Sequence, residues 1–379
     1  MSYDFDTLIE RRSSHSTKWS KFGEDVLPMW VADMDFAAPD FILEALRTRL
    51  EHPILGYTDR PQSLTDAFID WLAFHYGWHV EEDWLVFIPG VVPGLNIGCQ
   101  IDQPGALMVP TPVYHPFLDL ARHAGRAEIR VPMARRTVQD AGGTRQQWVM
   151  DFDAMQEKVS AETRLLAICN PQNPTGRCYD AAELAQLAEF VEVNDLILLS
   201  DDIHGSIVLR EGVRHVPIAH AQPQIAARTI SLFAPTKAYN VPGISSAVAV
   251  IPDEELRMQF LAARKGILPG VGPLGFTVTE AAFRDRGSWL PELTTYLRHN
   301  AQRVDECLGE RVAWLDATYL AWIDVGDLGE RNMEAHFAAH GLGISPGAQF
   351  GETSHIRLNF GCSRTTLDEG LHRLQNALK

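Results

Sequence analysis

The 379-residue chain is short of cysteine, of positive charge and of long apolar runs, and each shortage argues against a class of protein. Its five cysteines, Cys99, Cys169, Cys178, Cys307 and Cys362, are odd in number, widely spaced and without a C-x-x-C pair. That argues against a disulfide framework or a zinc site and suits a reducing, cytoplasmic compartment. Lysine and arginine number 33 against 49 acids, a net charge of −16, which speaks against nucleic acid or an anionic membrane as partner. No apolar run has the length of a membrane span, and the N-terminal Met1-Ser-Tyr-Asp-Phe-Asp6 carries acids where a secretory signal needs bases. Internal repeats and low-complexity linkers are missing too. What is present is ordinary globular composition, 46% hydrophobic and 22% charged, in a chain long enough for one large domain and a smaller companion.

Short apolar runs alternate with helical patterns through the middle of the chain: Ala106 to Val109, Leu165 to Ile168, Leu196 to Leu199, Ile230 to Phe233 and Ala247 to Ile251. Runs of that length, apolar at successive positions, suit strands buried on both faces of a mostly parallel sheet. Between two of them, Asp180 and Glu183 form a capping box, and Leu184, Leu187, Ala188 and Val191 follow at helical spacing. From about Glu254 helical patterns dominate, with a long amphipathic stretch at Leu293 to Leu308 and short β-like segments at Tyr319 to Asp324 and Ile356 to Phe360. The expected fold class is therefore α/β, with a large domain over residues 45–255. A smaller α+β domain combines residues 1–44 with 256–379.

One lysine stands out by context. Ala234-Pro-Thr-Lys237 follows directly on a buried run, which puts Lys237 at the edge of the sheet where open α/β folds bind ligands. Desolvated there, it can lose its proton and form a Schiff base; taken alone, the alternative is a solvated surface lysine. Three neighbours tip the balance. Asp201 ends the run Leu196-Ile-Leu-Leu-Ser-Asp201 and can pair with a protonated ring nitrogen. Asn170-Pro-Gln-Asn-Pro-Thr-Gly176 is a rigid loop able to aim Asn173. Pro89-Gly-Val-Val-Pro-Gly94 is a small-residue turn leading into a helical stretch, where backbone N–H groups suit a phosphate.

In that order, from roughly Pro28 to Arg357, the set resembles the aspartate-aminotransferase-like, fold type I pyridoxal-phosphate (PLP) enzymes. The resemblance implies their fold, PLP as cofactor, Lys237 as the Schiff-base lysine and Asp201 as partner of the pyridine nitrogen. It also implies that Asn173 and His204 bond the phenolic oxygen, that the Tyr114 ring stacks on the cofactor, and that Gly90, Val91, Val92 and the Thr236 hydroxyl hold the phosphate. Tyr57, in Gly56-Tyr-Thr58, matches a tyrosine that reaches the neighbouring subunit's phosphate, which implies a homodimer with active sites at the subunit interface. Arg357 matches the clamp for the substrate α-carboxylate. Two positions depart from the common aminotransferase pattern: Ser245 stands where many relatives have arginine, and Ala234 where they have serine.

A narrower likeness accounts for those departures. Pro28-Met-Trp-Val-Ala-Asp-Met-Asp-Phe36, Ser200-Asp-Asp-Ile-His204 and Ala234-Pro-Thr-Lys-Ala-Tyr-Asn240 resemble the bacterial cystathionine β-lyases and cysteine-conjugate C–S lyases of the MalY/PatB group. The resemblance implies β-elimination from a small sulfur amino acid, cystathionine or another L-cysteine S-conjugate, to a thiol, pyruvate and ammonia. Lys237 would take the Cα proton, with Lys237, Tyr57 of the partner subunit or Tyr114 as donor to the leaving thiolate. The first alternative is a class I/II aminotransferase on the same cofactor; the second is a regulatory protein that binds PLP without turnover.

Three other signals carry less. Gly270-Val-Gly-Pro-Leu-Gly275 satisfies G-x-G-x-x-G but follows no strand pattern and contains Pro273, so it reads as a loop at the domain junction. His75 and His79 lack a third metal ligand and read as a helix-surface pair, and Asp33 with Asp35 as an exposed acidic pair.

Overall fold

The apolar runs become the strands of one seven-stranded sheet. In chain order these are β1 (Leu85–Ile88), β2 (Ala106–Thr111), β3 (Glu128–Pro132), β4 (Thr163–Cys169), β5 (Ile197–Asp201), β6 (Thr229–Phe233) and β7 (Ala247–Val250), arranged β1-β7-β6-β5-β4-β2-β3. Every pairing is parallel except the two made by β7. The structure, a computed structural model, describes residues 3–101, 104–140 and 143–379; Met1 and Ser2 of the acidic N-terminal segment lie outside the described residues.

Side chains alternate across a strand, and this sheet needs both faces apolar. Along β4, Leu165, Ala167 and Cys169 pack with Val109, Leu199 and Leu232 on one face, while Leu166 and Ile168 pack with Met108 and Leu198 on the other. Helices cover both. The helix α1 (Gln62–Tyr76) buries Leu64, Phe68 and Trp71 against Phe87, Phe233 and Val248. On the opposite face α2 (Val91–Gly98) lies so close that a Cβ at Gly94 would sit 2.5 Å from Ile88 Cδ1 and 2.9 Å from Leu232 Cδ2. Only glycine permits that approach, and it brings the start of α2 down onto the sheet edge. The helix α3 (Ala181–Val193) has the expected capping box, with the Asp180 side chain accepting from Glu183 N and Asp180 N donating to the Glu183 carboxylate. Such a cap stabilises a helix by about 1 kcal/mol.

A second, three-stranded antiparallel sheet joins β8 (Leu320–Asp324), β9 (Ser345–Pro346) and β10 (His355–Asn359), with β10 in the middle. The helices α4 (Trp289–Leu308) and α5 (Arg364–Ala377) pack beside it. Phe5, Met29, Met34 and Phe36 from the N-terminal segment enter the same core as Leu293, Leu297, Leu367 and Leu374, and Leu27–Pro28 pairs in parallel with Leu342–Gly343. That core runs on without a break into Ala238, Tyr239 and Val241, just beyond β6.

Several local expectations change. The strand β1, Leu85-Val-Phe-Ile88, is a fully buried apolar run not among those expected, whereas β3 and a hairpin of Ala134–Asp140 with Gly143–Val149 escape the pattern because they are partly exposed and mixed in polarity. His75 and His79 do not share a helix face, because Gly77 adopts φ 69° and ends α1 at Tyr76. His75 is instead packed against the Trp71 ring, and burial takes its pKa down to about 4. Gly270 to Gly275 forms a loop running into the helix Pro273–Arg284, with Gly272 as its N-cap and proline in its first turn. Among the described residues no group of His, Cys, Asp or Glu could hold a metal ion, and no helix is long and apolar enough to cross a membrane.

Candidate active site

Because β1, β2, β4, β5 and β6 all run the same way, the segments that leave their C-terminal ends emerge along one edge. The Gly90 turn, Tyr114, the Asn173 loop, His204 and Lys237 each follow one of these strands, and Asp201 ends one. Register sharpens the grouping, since Cys169 sits opposite Asp201 and Asp201 opposite Leu232. The Asn173 loop is held from within and from afar. Gly176 N donates to Gln172 O (2.8 Å), and Gln172 Oε1 accepts from Thr175 N and Oγ1 (3.0 and 2.8 Å). Just beyond the loop Arg177 is anchored to Asp316 (2.7 Å) and to Glu183, while Asp316 N and Ala317 N donate to Gly176 O. Removing one member of such a buried charge cluster costs about 3–5 kcal/mol.

The ionisable groups are perturbed as burial dictates. The Lys237 ammonium is brought down from an ordinary 10.5 to about 8, first by desolvation and then by the Arg357 charge, with Asp33 and Asp201 opposing. Desolvation raises the Asp201 carboxyl to about 7, although Ile203 N donates to its Oδ1 at 3.0 Å. His204 is pushed well below its ordinary value by burial and by the charges of Lys237 and Arg357, so its imidazole is neutral. Its Nδ1 is buried and has no hydrogen-bond partner among the described residues. Burial brings even Arg357 down, to about 10. The Arg357 guanidinium lies over the Phe350 ring, 4.7 Å from its centroid, and donates to Asn173 Oδ1 (2.9 Å) and Trp30 O (2.8 Å). With its oxygen taken by Arg357, Asn173 has its amide N–H₂ left for another partner. Tyr114 feels both Arg357 and Asp201, and burial raises its hydroxyl. Thr236 is buried next to Lys237, and the first-turn amides of Val91 and Val92 have no acceptor inside α2.

The Pro28 to Phe36 segment closes the site from the other side. The Ala32 carbonyl accepts from Lys237 Nζ at 2.7 Å and from Tyr319 Oη at 3.0 Å. Asn240 pins the same segment, accepting from Met34 N (2.9 Å) and donating to Met34 O and Phe36 O. Between segment and lysine loop lies a cavity of about 700 Å³ whose wall includes Lys237, Asp33, Arg11 and Lys18. Asp33 and Asp35 are not an exposed acidic pair. Arg11 bonds both at 2.5 Å and Lys18 bonds Asp35 at 2.7 Å, leaving the two carboxylates 20% and 11% exposed.

One candidate stands apart. Tyr57 is fully exposed in an irregular stretch. Conversely, Tyr319 and Ser345 belong to the site without having been singled out for it, while Trp30 and Ala32, expected to line the pocket, enter it through their backbone carbonyls. Asn240 sits in the lysine motif itself and could have been found there; a backbone carbonyl leaves no mark in a sequence. Taken together, the edge offers a nucleophilic amine, a carboxyl, a neutral imidazole with an unspent nitrogen, a helix N-terminus and a buried guanidinium. Such a set can hold a flat ring with a basic nitrogen and an anionic tail beside an amino-acid carboxylate.

The aminotransferase class I and II family model matches residues 24–374. Cystathionine beta-lyase PatB of Bacillus subtilis (strain 168) is 34% identical over 394 residues, covering 99% of this chain and 100% of its own. Among solved structures, the crystal structure of OvoB superposes with a TM-score of 0.93 at 36% identity, covering 100% of this chain and 99% of the other. The PLP-bound C–S lyase from Staphylococcus hominis superposes with a TM-score of 0.89 at 30% identity, covering 100% and 98%.

Proposed function

Because the chain belongs to the aminotransferase class I and II family, we propose that it is a PLP-dependent carbon–sulfur β-lyase. It cleaves cystathionine or related L-cysteine S-conjugates to a thiol, pyruvate and ammonia, as its similarity to PatB along the whole chain supports. The observation that carries the reading is the Ala32 carbonyl, which accepts from Lys237 Nζ at 2.7 Å. It joins the segment most diagnostic of the lyase group to the amine that does the chemistry.

The unspent groups fit the cofactor. His204 Nδ1 and the Asn173 amide suit its phenolic oxygen, Asp201 its ring nitrogen, and Gly90, Val91, Val92 and the Thr236 hydroxyl its phosphate, with Tyr114 against its ring. When bound, PLP supplies a sink for the electron pair left on the substrate Cα. Lys237, which desolvation brings down to about 8 so that a fraction is free amine near neutral pH, takes the Cα proton as general base. Asp201 keeps a proton on the ring nitrogen, and Arg357 fixes the substrate carboxylate by a bidentate pair. The C–S bond breaks with its electrons on sulfur, and the three-carbon remainder takes up water and releases ammonia, leaving pyruvate.

The assembly that completes this site is a homodimer. Leu50, Ile54, Leu55 and Tyr57 are exposed close together in sequence, an apolar arm that a second copy would cover while taking Tyr57 to its phosphate. We infer a division into residues 45–255 and residues 1–44 with 256–379 from the seven-stranded sheet in the first and the three-stranded sheet in the second; Leu256, Phe260, Phe276 and Phe283, past that boundary, pack against the large sheet. Five free cysteines suit a reducing cytoplasm.

The test is a product assay on cofactor-loaded protein with L-cystathionine, with and without a 2-oxo acid acceptor. Thiol and pyruvate are expected without the acceptor. Turnover that needs the acceptor and frees no thiol would make the protein an aminotransferase instead.

A further inference from the structure

Behind Asp201 lies a buried group of side chains that the chemistry above does not use. Asp202 directly follows β5, and its Oδ1 lies 2.8 Å from His215 Nε2. His215 Nδ1 lies in turn 3.1 Å from the Tyr76 hydroxyl, at the last residue of α1. The Asp202 and His215 side chains are 0% and 1% exposed, so water supplies neither with a partner. The packing is built around them. A Cβ at Gly205 would lie 2.6 Å from His215 Nδ1 and 3.0 Å from Tyr76 Oη, so the Asp202 to Gly205 turn closes over the imidazole only because residue 205 has no side chain.

Burial makes the Tyr76 phenol hold its proton, and with that proton donated to Nδ1 the ring is left with Nε2–H to donate to the Asp202 carboxylate. Its second oxygen, Asp202 Oδ2, is buried with no partner among the described residues. The carboxylate is thus held at one oxygen and left open at the other. The other titratable groups in reach do not cancel its charge. Cys178 and Cys169 are thiols whose pKa values burial raises, and Lys237 faces Asp201 from the cavity side. Asp202 in turn is among the groups that favour the proton on Asp201.

We propose that Asp202, held by His215 and Tyr76, is a positioning residue that acts through Asp201. It places a second negative charge behind the carboxyl that faces the cofactor and so retains the proton shared by Asp201 and the ring nitrogen. This rests on the reading of Asp201 as the partner of that nitrogen.

The experiment compares the affinity of the cofactor-free protein for PLP and for 1-deaza-PLP, which lacks the ring nitrogen, by fluorescence titration. A purely structural defect weakens both ligands equally; loss of the charge weakens only PLP. The wild type should prefer PLP, and Asp202→Asn should cut that preference about tenfold, the equivalent of one pH unit in proton affinity. Asp202→Glu, which keeps the charge, should restore it. Where Asp202→Asn does not fold, His215→Phe strips Asp202 of its donor, drives it to bind a proton and should cut the preference likewise. His215→Gln, still a donor, should keep it. No preference in the wild type would refute the role given to Asp201. A wild-type preference that survives Asp202→Asn, or equal weakening of both ligands, would refute the relay.

Discussion

Arg357 donates from Nη1 to the Asn173 side-chain oxygen at 2.9 Å, across 184 residues of sequence. The residue proposed to clamp the substrate carboxylate thus also sets which way the Asn173 amide faces. Arg357→Lys, which loses the planar fork, should lower kcat/KM by about two to three orders of magnitude, chiefly through KM, on the scale of breaking a buried charged pair. Because the two share a bond, Asn173→Ala and Arg357→Lys should be non-additive in a double-mutant cycle by about 0.5–3 kcal/mol. Strict additivity in steady-state kinetics would mean the bond does not organise the site.

Lys237 is depressed to about 8 in the protein alone. Carbon-13 NMR of reductively methylated, cofactor-free protein should show one lysine signal titrating near that pH, absent from Lys237→Ala. The same variant should release no pyruvate from cystathionine while keeping its circular dichroism and melting behaviour. Retained turnover would remove Lys237 from the reaction.

Asp201 binds its proton more tightly folded than unfolded, about 7 against an ordinary 3.8. Its stabilising share is complete below pH 4 and is lost as pH rises through 7, where the folded state carries a desolvated carboxylate. Cofactor-free Asp201→Asn should therefore be more stable than wild type at pH 8, by on the order of a few kcal/mol, and match it near pH 4. Thermal melts at the two pH values check this; a constant difference would mean burial does not control the group.

Tyr57 is fully exposed on its own chain. If it serves the partner's site, Tyr57→Ala and Lys237→Ala proteins, each inactive alone, should complement when refolded together. Random pairing makes half the dimers mixed, each with one intact site of two, so activity should recover to about a quarter of wild type. No recovery, in a mixture shown to exchange subunits, would place Tyr57 outside the active site.

Local order was legible in the chain. A strand buried on both faces announces itself by consecutive apolar residues, as at Leu165 to Ile168, and a helix by its cap and period, as at Asp180 to Val191. Both signals lie between near neighbours. The order of Asn173, Asp201 and Lys237, each just after such a run, foretold a common sheet edge, since parallel strands all end on one side. The sequence alone therefore marked five of the seven strands and the edge to which Asn173, Asp201 and Lys237 belong. Partly exposed β3 was hidden because its polarity is mixed, and His75 with His79 misled because one glycine ended the helix between them.

The tertiary structure alone decided which charges and carbonyls meet. Arg11 neutralising Asp33 and Asp35, Ala32 O receiving Lys237, and Asp202 bonding His215 join residues brought together by the path of the chain. A carbonyl is the same atom at every position, and whether a carboxylate is solvated or buried depends on what folds over it. No spacing along the sequence encodes either.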